Sequence, residues 1–272
     1  MISIIITHHR TPVLLKLCLK SIRDNLTLEE KEVFVCDSQT DPKIKQAIEE
    51  EFPEVNFVSF SDNAGYAKLV NKGLKKAQGD YLLVLNADIL IKEKSVRKMV
   101  EYFEEHPRVG LIGPQLLTFA NRPQESCFRH PTLLGFIPFI IARRTALGKT
   151  KWGQRKIDNF LIKKEDLKTA QLVDWLQGSA LMVKKEAVEK VGLIDERYFM
   201  YMEDADWCRR FWEADYQVVY LPQAKMIHYY YRASRKWGGF LDILFNKYTR
   251  LHILSTLKYL WKWRRASRHY EF

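Results

Sequence analysis

Three carboxylates lie within four residues of the stretch YFMYMEDADW, and large apolar side chains flank them on both sides. They belong to Glu203, Asp204 and Asp206, and the pattern predicts the start of a helix packed against apolar surface. The acids could simply cap that helix, because its N-terminal N–H groups and its dipole favour negative charge. They could also supply a general base, because loss of water raises the pKa of a carboxyl group toward a useful value.

Three more acids follow predicted strands nearer the start of the chain. Asp37 ends EVFVCD, Asp62 follows VNFVSF, and Asp88 ends GDYLLVLNAD, with Asn86 two residues earlier on the same side of an extended chain. Any one of them could merely terminate a strand. Together they would lie at the carboxyl edge of a sheet, where α/β proteins bind ligands. Carboxylates repel phosphate unless a divalent cation lies between them, so the pattern favours Mg²⁺ or Mn²⁺ with a phosphorylated substrate.

The elements that would position these acids alternate between strand and helix. ISIIITHH reads as a buried strand, residues 65–79 as a helix ended by Gly79, residues 80–88 as a central strand, and QVVYLP (217–222) as a later strand. Alternation of this kind is typical of an α/β domain with a largely parallel sheet.

Composition sets the broad class of the protein. The chain has 272 residues, 47% of them hydrophobic and 13% aromatic, which is enough for the core of one large domain. The cysteines are widely spaced with no CxxC pair, so reduced thiols are expected rather than a zinc site or disulfides. We find no secretory signal and no apolar run long enough for a transmembrane helix, and therefore expect a cytoplasmic protein.

The formal net charge of +11 is unevenly distributed. Residues 225–272 hold 11 Lys/Arg against two acids, and residues 143–168 hold nine against three, whereas the rest is mildly acidic. This pattern predicts an anionic partner, either membrane lipid or nucleic acid. Lys, Arg, Trp and Tyr are interleaved from Lys247 to Arg268, as in a helix at a lipid interface, although such a helix could instead pack on the domain. FIPFIIARR (136–144) could add a second membrane contact or cover the acceptor cleft.

Several segments together resemble the family 2 glycosyltransferases, within them most of all the bacterial rhamnosyltransferase-like branch. They are SIIITHHR, DNAGYAKLVNKG, GDYLLVLNAD and the long block from VDWLQGSALMV through YFMYMEDADWCRRFWEADY to QAKMIHY. The resemblance spans roughly residues 2–235 and implies a GT-A fold, with a Rossmann-like, mostly parallel central sheet flanked by helices. The expected organisation is a transferase domain over 1–230, an acceptor-side insert at 119–170 and a basic helical extension over 231–272.

The resemblance also implies the reaction. A sugar would pass from a nucleotide-sugar, with inversion and with Mn²⁺ or Mg²⁺, to a hydroxyl of a lipid-linked or polysaccharide acceptor in bacterial cell-surface glycan synthesis. The lead donor is dTDP-L-rhamnose, and UDP-hexose or UDP-galactofuranose is the alternative. The enzyme would be peripheral at the inner face of the plasma membrane, with its basic tail on lipid and with no role in nucleic-acid binding.

Residue roles follow from the same motifs. Asp204 would be the catalytic base, with Asp206 as its rival, and Asp88 and His228 would hold the metal. The nucleotide base would meet Asp37. The donor pocket would further include Thr7, Asp62, Asn63, Gly65 and Asn86. The acceptor side would include Trp175, Gly178, Ser179, Glu203 and Asp206.

The chain departs from the family pattern in two places. The segment DSQTD after the second strand (37–41) is one residue shorter than usual, and Asn86 stands first in the DxD-type motif, leaving one fewer charge for the metal. Two other classes of protein are alternatives. A nucleic-acid-binding protein could use the basic tail, but its phosphates would be repelled by the strand-end acids. A non-catalytic relative would not need both Asp88 and Asp204.

Overall fold

A computed structural model of the chain describes residues 1–26, 31–162, 168–229 and 245–266. Its strands are β1 (Ile2–His8), β2 (Lys31–Ser38), β3 (Val55–Phe60), β4 (Tyr81–Asn86), β5 (Ile89–Ile91), β6 (Val109–Leu117), β7 (Cys127–Phe128), β8 (Gln171–Leu172), β9 (Trp175–Leu176), β10 (Ala180–Lys184) and β11 (Gln217–His228). Its α-helices are α1 (Pro12–Asn25), α2 (Pro42–Glu51), α3 (Tyr66–Leu74), α4 (Ser95–Glu105), α5 (Leu133–Arg144), α6 (Lys151–Phe160), α7 (Lys185–Val191), α8 (Glu203–Glu213) and α9 (Lys247–Lys262), with a 3₁₀ turn at Ala146–Lys149.

The main sheet runs in the order β3-β2-β1-β4-β10-β6-β11-β5, with β8 beside β11. Strands β1 to β4 are mutually parallel, as are β6 and β11. Strand β10 lies antiparallel between β4 and β6, and β5 pairs antiparallel with β11. The predicted α/β class with a mostly parallel sheet is therefore confirmed.

Helices cover both faces of this sheet because its central strands are apolar on both sides. Strand β1 is buried along its whole length. Ile4 packs with Leu15 of α1 on one face, whereas Ile5 packs with Val70 of α3 and Trp207 of α8 on the other. Burial on both faces requires this near-continuous run of isoleucine.

Element boundaries differ from the sequence prediction in three places. Helix α3 ends at Leu74 instead of continuing to residue 79, and Gly79 passes so close to β1 that a Cβ would lie 2.7 Å from the Ser3 nitrogen. Strand β4 ends at Asn86, which places Asp88 in the turn before β5. Strand β11 continues six residues beyond the predicted end, because a bulge lets it remain paired with β6 and reach β5.

A third layer of helices lies over the start of α8. Phe136 and Phe139 of α5, Phe160 of α6 and Tyr259 of α9 form one buried cluster with the segment that leads into α8. The 119–170 segment and the basic extension therefore meet above the acidic run. The remaining parts of the predicted tail, 231–244 and 267–272, lie outside the described residues. Within the ranges that are described, no helix is both long and apolar enough to cross a bilayer.

Candidate active site

The carboxyl ends of β1 and β2 hold a buried His–Asp pair. His8 lies opposite Asp37 in the parallel register, and its Nδ1 is 2.7 Å from Asp37 Oδ1. The Thr11 N–H donates to His8 Nε2 at 3.0 Å, so the ring proton lies on Nδ1 and is donated to Asp37. Both side chains are almost fully buried. This bond fixes the orientation of the carboxylate predicted to meet the nucleotide base.

The predicted donor loop lies against the end of β2. Ser38 Oγ donates to the Asp62 carbonyl at 3.3 Å and accepts from the Ala64 N–H at 3.1 Å. Asn63 Oδ1 accepts from the Gly65 N–H at 3.3 Å. Asp62 and Asn63 therefore lie next to Asp37 along one edge of the sheet, as the sequence pattern predicts.

Gly65 joins this loop to the segment that precedes α8. Its φ of +78° favours glycine, and a Cβ there would lie 2.5 Å from the Phe199 carbonyl oxygen. The next residue, Tyr66, donates its N–H to the same oxygen at 3.0 Å. We call the sheet edge that carries Asp37, Asp62 and Asn86 the donor edge, after its predicted role. The loop at this edge is thus in direct contact with the segment that leads into α8.

Asn86 is fixed between strands β1 and β10. Thr7 Oγ1 donates to Asn86 Oδ1 at 3.1 Å, which holds the amide side chain at the sheet edge. The Asn86 N–H donates to the Ser179 carbonyl at 2.9 Å. The two residues of the DxD-type motif consequently differ in setting, because Asn86 ends a strand and Asp88 lies in a turn.

Asp88 faces His228 at the end of β11. Asp88 Oδ1 is buried and makes no hydrogen bond, and it lies 3.7 Å from His228 Nε2. Burial raises the pKa of the Asp88 carboxyl to about 6 and lowers the pKa of His228 to about 4. Within the described residues, no group of three or more His, Cys, Asp or Glu side chains could hold a metal ion.

Gln124 sets the tautomer of His228. Its Nε2 donates to the His228 carbonyl at 2.9 Å, so its Oε1 is the acceptor that lies 2.9 Å from His228 Nδ1. The ring proton therefore lies on Nδ1, and Nε2, which carries the lone pair, is the ring nitrogen nearer to Asp88 Oδ1. A carboxylate oxygen and an imidazole lone pair that face each other fit a divalent cation between them.

Asp204 lies in the first turn of α8, a helix that begins immediately after two residues in the left-handed region, Tyr201 (φ 71°) and Met202 (φ 67°). Its Oδ2 accepts from the Gly178 N–H and its Oδ1 from the Ala205 N–H, both at 2.8 Å. Burial raises the pKa of Asp204, and these two N–H groups partly oppose the rise. The carboxylate is oriented by backbone and keeps lone pairs for a further proton donor.

Gly178 lies between Asp204 and Tyr66. A Cβ at Gly178 would lie 3.1 Å from both the Asp204 Cβ and the Tyr66 hydroxyl, and that hydroxyl donates to the Gly178 carbonyl. Ser179, the next residue, accepts from Asn86 on the donor side. Two hydrogen bonds therefore connect the donor edge of the sheet to Asp204. One runs from the Asn86 N–H to the Ser179 carbonyl, and the other from the Gly178 N–H to the Asp204 carboxylate.

Glu203 lies beside Asp204 in apolar surroundings. Its Oε2 is buried without a hydrogen-bond partner. Burial, and then the charge of Asp204, raises the pKa of Glu203 well above its usual range. The apolar flanks of the acidic run thus exclude water from two carboxyl groups, one held by the Gly178 and Ala205 N–H groups and the other with one oxygen that has no hydrogen-bond partner.

Asp206 has a different environment from its two neighbours. It is fully buried, and its oxygens accept from Arg210 Nε at 3.1 Å, Lys262 Nζ at 2.7 Å and Trp263 Nε1 at 2.9 Å. These contacts join α8 to α9. Trp175 packs its ring 4.7 Å from that of Phe128, and its indole lies near enough to Asp204 to lower the pKa of that carboxyl.

Sequence reasoning missed three residues of this site: His8, Tyr66 and Gln124. His8 could have been found, because it ends the strand beside the one that ends in Asp37. Tyr66 lies in a quoted motif, but nothing in its spacing indicates that its hydroxyl reaches Gly178. Gln124 carries no sequence signal, because its contact with His228 depends on the path of an irregular segment.

The fold is of the GT-A type, the fold of the nucleotide-sugar-dependent glycosyltransferases found among similar structures. The crystal structure of GalNAc-T7 with UDP, GalNAc and Mn²⁺ superposes with a TM-score of 0.65 at 15% identity, covering 85% of this chain and 44% of that one. At this identity the likeness defines the fold alone.

The sequence defines the family more narrowly. The model for glycosyl transferase family 2 matches residues 3–191, and the chain belongs to this family. Rhamnosyltransferase WbbL of Escherichia coli K12 is 28% identical over 96% of this chain and 92% of its own length. The N-acetylglucosaminyl-diphospho-decaprenol L-rhamnosyltransferase of Mycobacterium tuberculosis CDC 1551 is 27% identical over 72% of this chain and 66% of its own length. The chain is a glycosyltransferase similar to rhamnosyltransferases.

Proposed function

We propose that this enzyme transfers a sugar from a nucleotide-sugar to an acceptor hydroxyl with inversion, and that Asp204 is the general base. The main observation that supports the proposal is the environment of the Asp204 carboxylate. It is a buried carboxylate held by two backbone N–H groups and connected to the donor edge through Gly178, Ser179 and Asn86. General bases in enzymes combine such orientation with partial loss of water.

In this mechanism Asp204 accepts the proton of the acceptor hydroxyl as the oxygen attacks the anomeric carbon. The bond from that carbon to the diphosphate oxygen breaks on the opposite face, so a single displacement inverts the configuration. Asp206 does not suit this role, because Arg210, Lys262 and Trp263 already engage its oxygens. Glu203 and Trp175 would line the acceptor side and keep water from the base.

Asp88 and His228 would hold Mn²⁺ or Mg²⁺. The buried, unpartnered Asp88 oxygen facing an imidazole lone pair supports this assignment, and substrate phosphates commonly complete such sites. A divalent ion there would neutralise charge that develops on the diphosphate leaving group. Gln124 would keep His228 in the tautomer that can ligate.

The donor would lie along the edge formed by Thr7, Asp37, Asn63, Gly65 and Asn86. His8 orients Asp37 for a hydrogen bond to the nucleotide base. The lead donor is dTDP-L-rhamnose, supported by the two rhamnosyltransferase relatives. A UDP-hexose or UDP-galactofuranose is the alternative donor, and the structurally similar GalNAc-T7 was crystallised with UDP.

The acceptor would be a lipid-linked glycan or a polysaccharide. The name of the mycobacterial relative specifies a sugar on diphospho-decaprenol, which supports a lipid-linked acceptor here. The enzyme would then work at the inner face of the plasma membrane in cell-surface glycan synthesis, with its basic C-terminal extension on the lipid.

The test is turnover with dTDP-L-rhamnose, UDP-glucose and UDP-galactofuranose, using a short-chain diphosphate-linked N-acetylglucosamine acceptor. Each donor is assayed with Mn²⁺, with Mg²⁺ and with EDTA, and NMR gives the anomeric configuration of the product. We expect metal-dependent transfer from dTDP-L-rhamnose with inversion. Retained configuration, or full activity in EDTA, would contradict the mechanism.

A further inference from the structure

Helix α9 has its polar and apolar sides reversed relative to helices of water-soluble proteins, which turn their apolar side inward. Its buried side carries Thr249, Ser255 and Thr256 as well as Tyr259. Its outward side carries four large apolar residues with high exposed fractions. They are Ile253 (40%), Leu254 (54%), Leu257 (56%) and Trp261 (65%). They recur at helical spacing and form one stripe, which we call the outer stripe.

The helix cannot roll to bury this stripe, because specific polar contacts fix its inner side. Ser255 Oγ donates to the Met200 carbonyl at 2.9 Å. Lys262 Nζ pairs with Asp206 at 2.7 Å, and Trp263 Nε1 donates to the same carboxylate at 2.9 Å. Rotation would break these contacts and leave the buried Asp206 carboxylate with Arg210 as its remaining cation. The outward position of the stripe is therefore built into the fold.

Basic side chains border the outer stripe. Arg250, Lys258, Arg264 and Arg265 are exposed, and α9 contains no Asp or Glu. Apolar residues with Trp, bordered by Lys and Arg, suit the headgroup region of an anionic bilayer. A second copy of the same surface would instead bring like charges together, which disfavours self-association through this helix.

The beginning of α5 also carries exposed apolar side chains. Leu133 and Leu134 are 65% and 83% exposed. They lie about one turn before Phe136, whose ring centroid is 6.4 Å from that of His252 in α9. Helices α5 and α9 are therefore neighbours, and each carries exposed apolar side chains.

We propose that the outer stripe of α9, together with Leu133 and Leu134, is the surface through which the enzyme lies on an anionic lipid bilayer. The inner side of the same helix holds α8, which carries Asp204, so the docked face and the base belong to one packed unit. The proposal extends the proposed function and rests on it for the lipid-linked nature of the acceptor. The surface itself is defined by exposure, charge and the fixed rotation of α9.

The test is co-sedimentation of the full chain with vesicles of phosphatidylcholine containing about one third phosphatidylglycerol. The variant Leu257→Glu/Trp261→Glu places two acids in the outer stripe without touching buried contacts. The matched control is Val13→Glu on α1, where the native side chain is 70% exposed. We expect the double variant to bind vesicles at least roughly tenfold more weakly than the wild type, and the control to bind normally. Pure phosphatidylcholine vesicles should also bind the wild type more weakly.

Three results would overturn the proposal. They are no vesicle binding by the wild type, unchanged binding by the double variant, and a wild-type dimer that the double variant converts to monomer without any lipid binding. Nucleotide-induced thermal stabilisation of the double variant verifies that it is folded. Asp204→Asn separates this proposal from the proposed function, because it should lose transfer while retaining vesicle binding.

Discussion

The three acids at the start of α8 lie within four residues, yet each has different partners. Asp204 is held by two backbone N–H groups, Glu203 has an oxygen with no hydrogen-bond partner, and Asp206 is neutralised by two cations and an indole N–H. Because the partners determine whether a buried carboxyl keeps its proton, the three residues should respond differently to removal of the charge.

Asp204→Asn should reduce kcat about 10²- to 10⁴-fold, since it removes the proton acceptor while retaining the shape of the side chain. Binding of the nucleotide should be unchanged, because the donor edge does not depend on the charge of Asp204. Steady-state kinetics and nucleotide titration check the two parts. Asp206→Asn is the matched control. It should lower the melting temperature, and it should lower kcat of the folded enzyme less than Asp204→Asn does. A fully active Asp204→Asn enzyme would remove Asp204 from the mechanism.

Glu203 gives a prediction about stability and pH. Its pKa is raised in the folded protein by burial and by Asp204. Below the usual glutamate pKa near 4.5, the group is protonated in both the folded and the unfolded chain. Above it the unfolded chain releases the proton first, so the free energy of unfolding decreases as pH rises toward the raised pKa. Glu203→Gln cannot titrate and should lack this decrease.

The measurement is urea unfolding of wild type and Glu203→Gln across the pH range above 4.5. We expect the stability of the variant relative to wild type to increase with pH. Glu196→Gln is the comparison for general charge effects, because Glu196 is exposed whereas Glu203 is buried. Parallel pH curves for wild type and Glu203→Gln would show that Glu203 ionises normally.

For the individual residues, the sequence pattern predicted which residue types form the site, but their spacing could not decide which of the three acids is the base. The spacing of Glu203, Asp204 and Asp206 fits both a helix cap and a catalytic base. Their difference arises from Gly178 and Lys262, which are distant in the chain and are brought near only by tertiary packing. The His8–Asp37 pair is the exception, since adjacent parallel strands that end in those residues place them side by side.

Helix α9 holds α8, the helix that carries Glu203, Asp204 and Asp206, in its position. Lys262 bridges Asp195 at 3.0 Å and Asp206 at 2.7 Å, and so connects α9 to both the segment before α8 and α8 itself. Ser255 adds a bond to the Met200 carbonyl. The left-handed turn that begins α8 is thus fixed from outside by the C-terminal helix.

Lys262→Met should lower the free energy of unfolding by about 2 kcal/mol, because it leaves the fully buried Asp206 with fewer partners. It should also lower kcat more than it raises KM, since Asp204 lies in the same turn. Lys258→Met is the matched control, because Lys258 is exposed and its ammonium donates to the Arg197 carbonyl at 2.9 Å instead of to a buried carboxylate. Denaturant unfolding and steady-state kinetics check both effects. Equal stability of the two variants would show that the Asp206 contact does not hold α9.

Element types followed from the sequence more reliably than element ends. The isoleucine run of β1 and the alternation of strand and helix predicted the sheet, because burial on both faces demands apolar residues. The end of α3 was predicted wrongly, because Gly79 suggested a helix cap whereas close approach to Ser3 is what its missing side chain permits. The polarity of α9 also could not be read from composition, because its partners on α8 decide which side is buried.

In the whole molecule, the donor edge and the proposed base come from opposite halves of the chain. Asp37 lies near the end of β2 and Asp88 in the turn after β4, whereas Asp204 and His228 follow the antiparallel strand β10. Backbone bonds through Ser179 and Gly178 join the two halves. This arrangement suits a displacement in which the leaving group and the base lie on opposite sides of one carbon.

The most direct measurement is the thermal shift of the whole enzyme with dTDP, UDP, GDP and CMP, each in Mn²⁺ and in EDTA. At about 100 times its Kd, a nucleotide should stabilise the fold by roughly 2.7 kcal/mol, a shift of several degrees. We expect a shift with dTDP, or with UDP as the alternative, that requires metal and is lost in Asp88→Asn. No shift with any nucleotide in Mn²⁺ would contradict the account of this site as a metal-dependent sugar-nucleotide site.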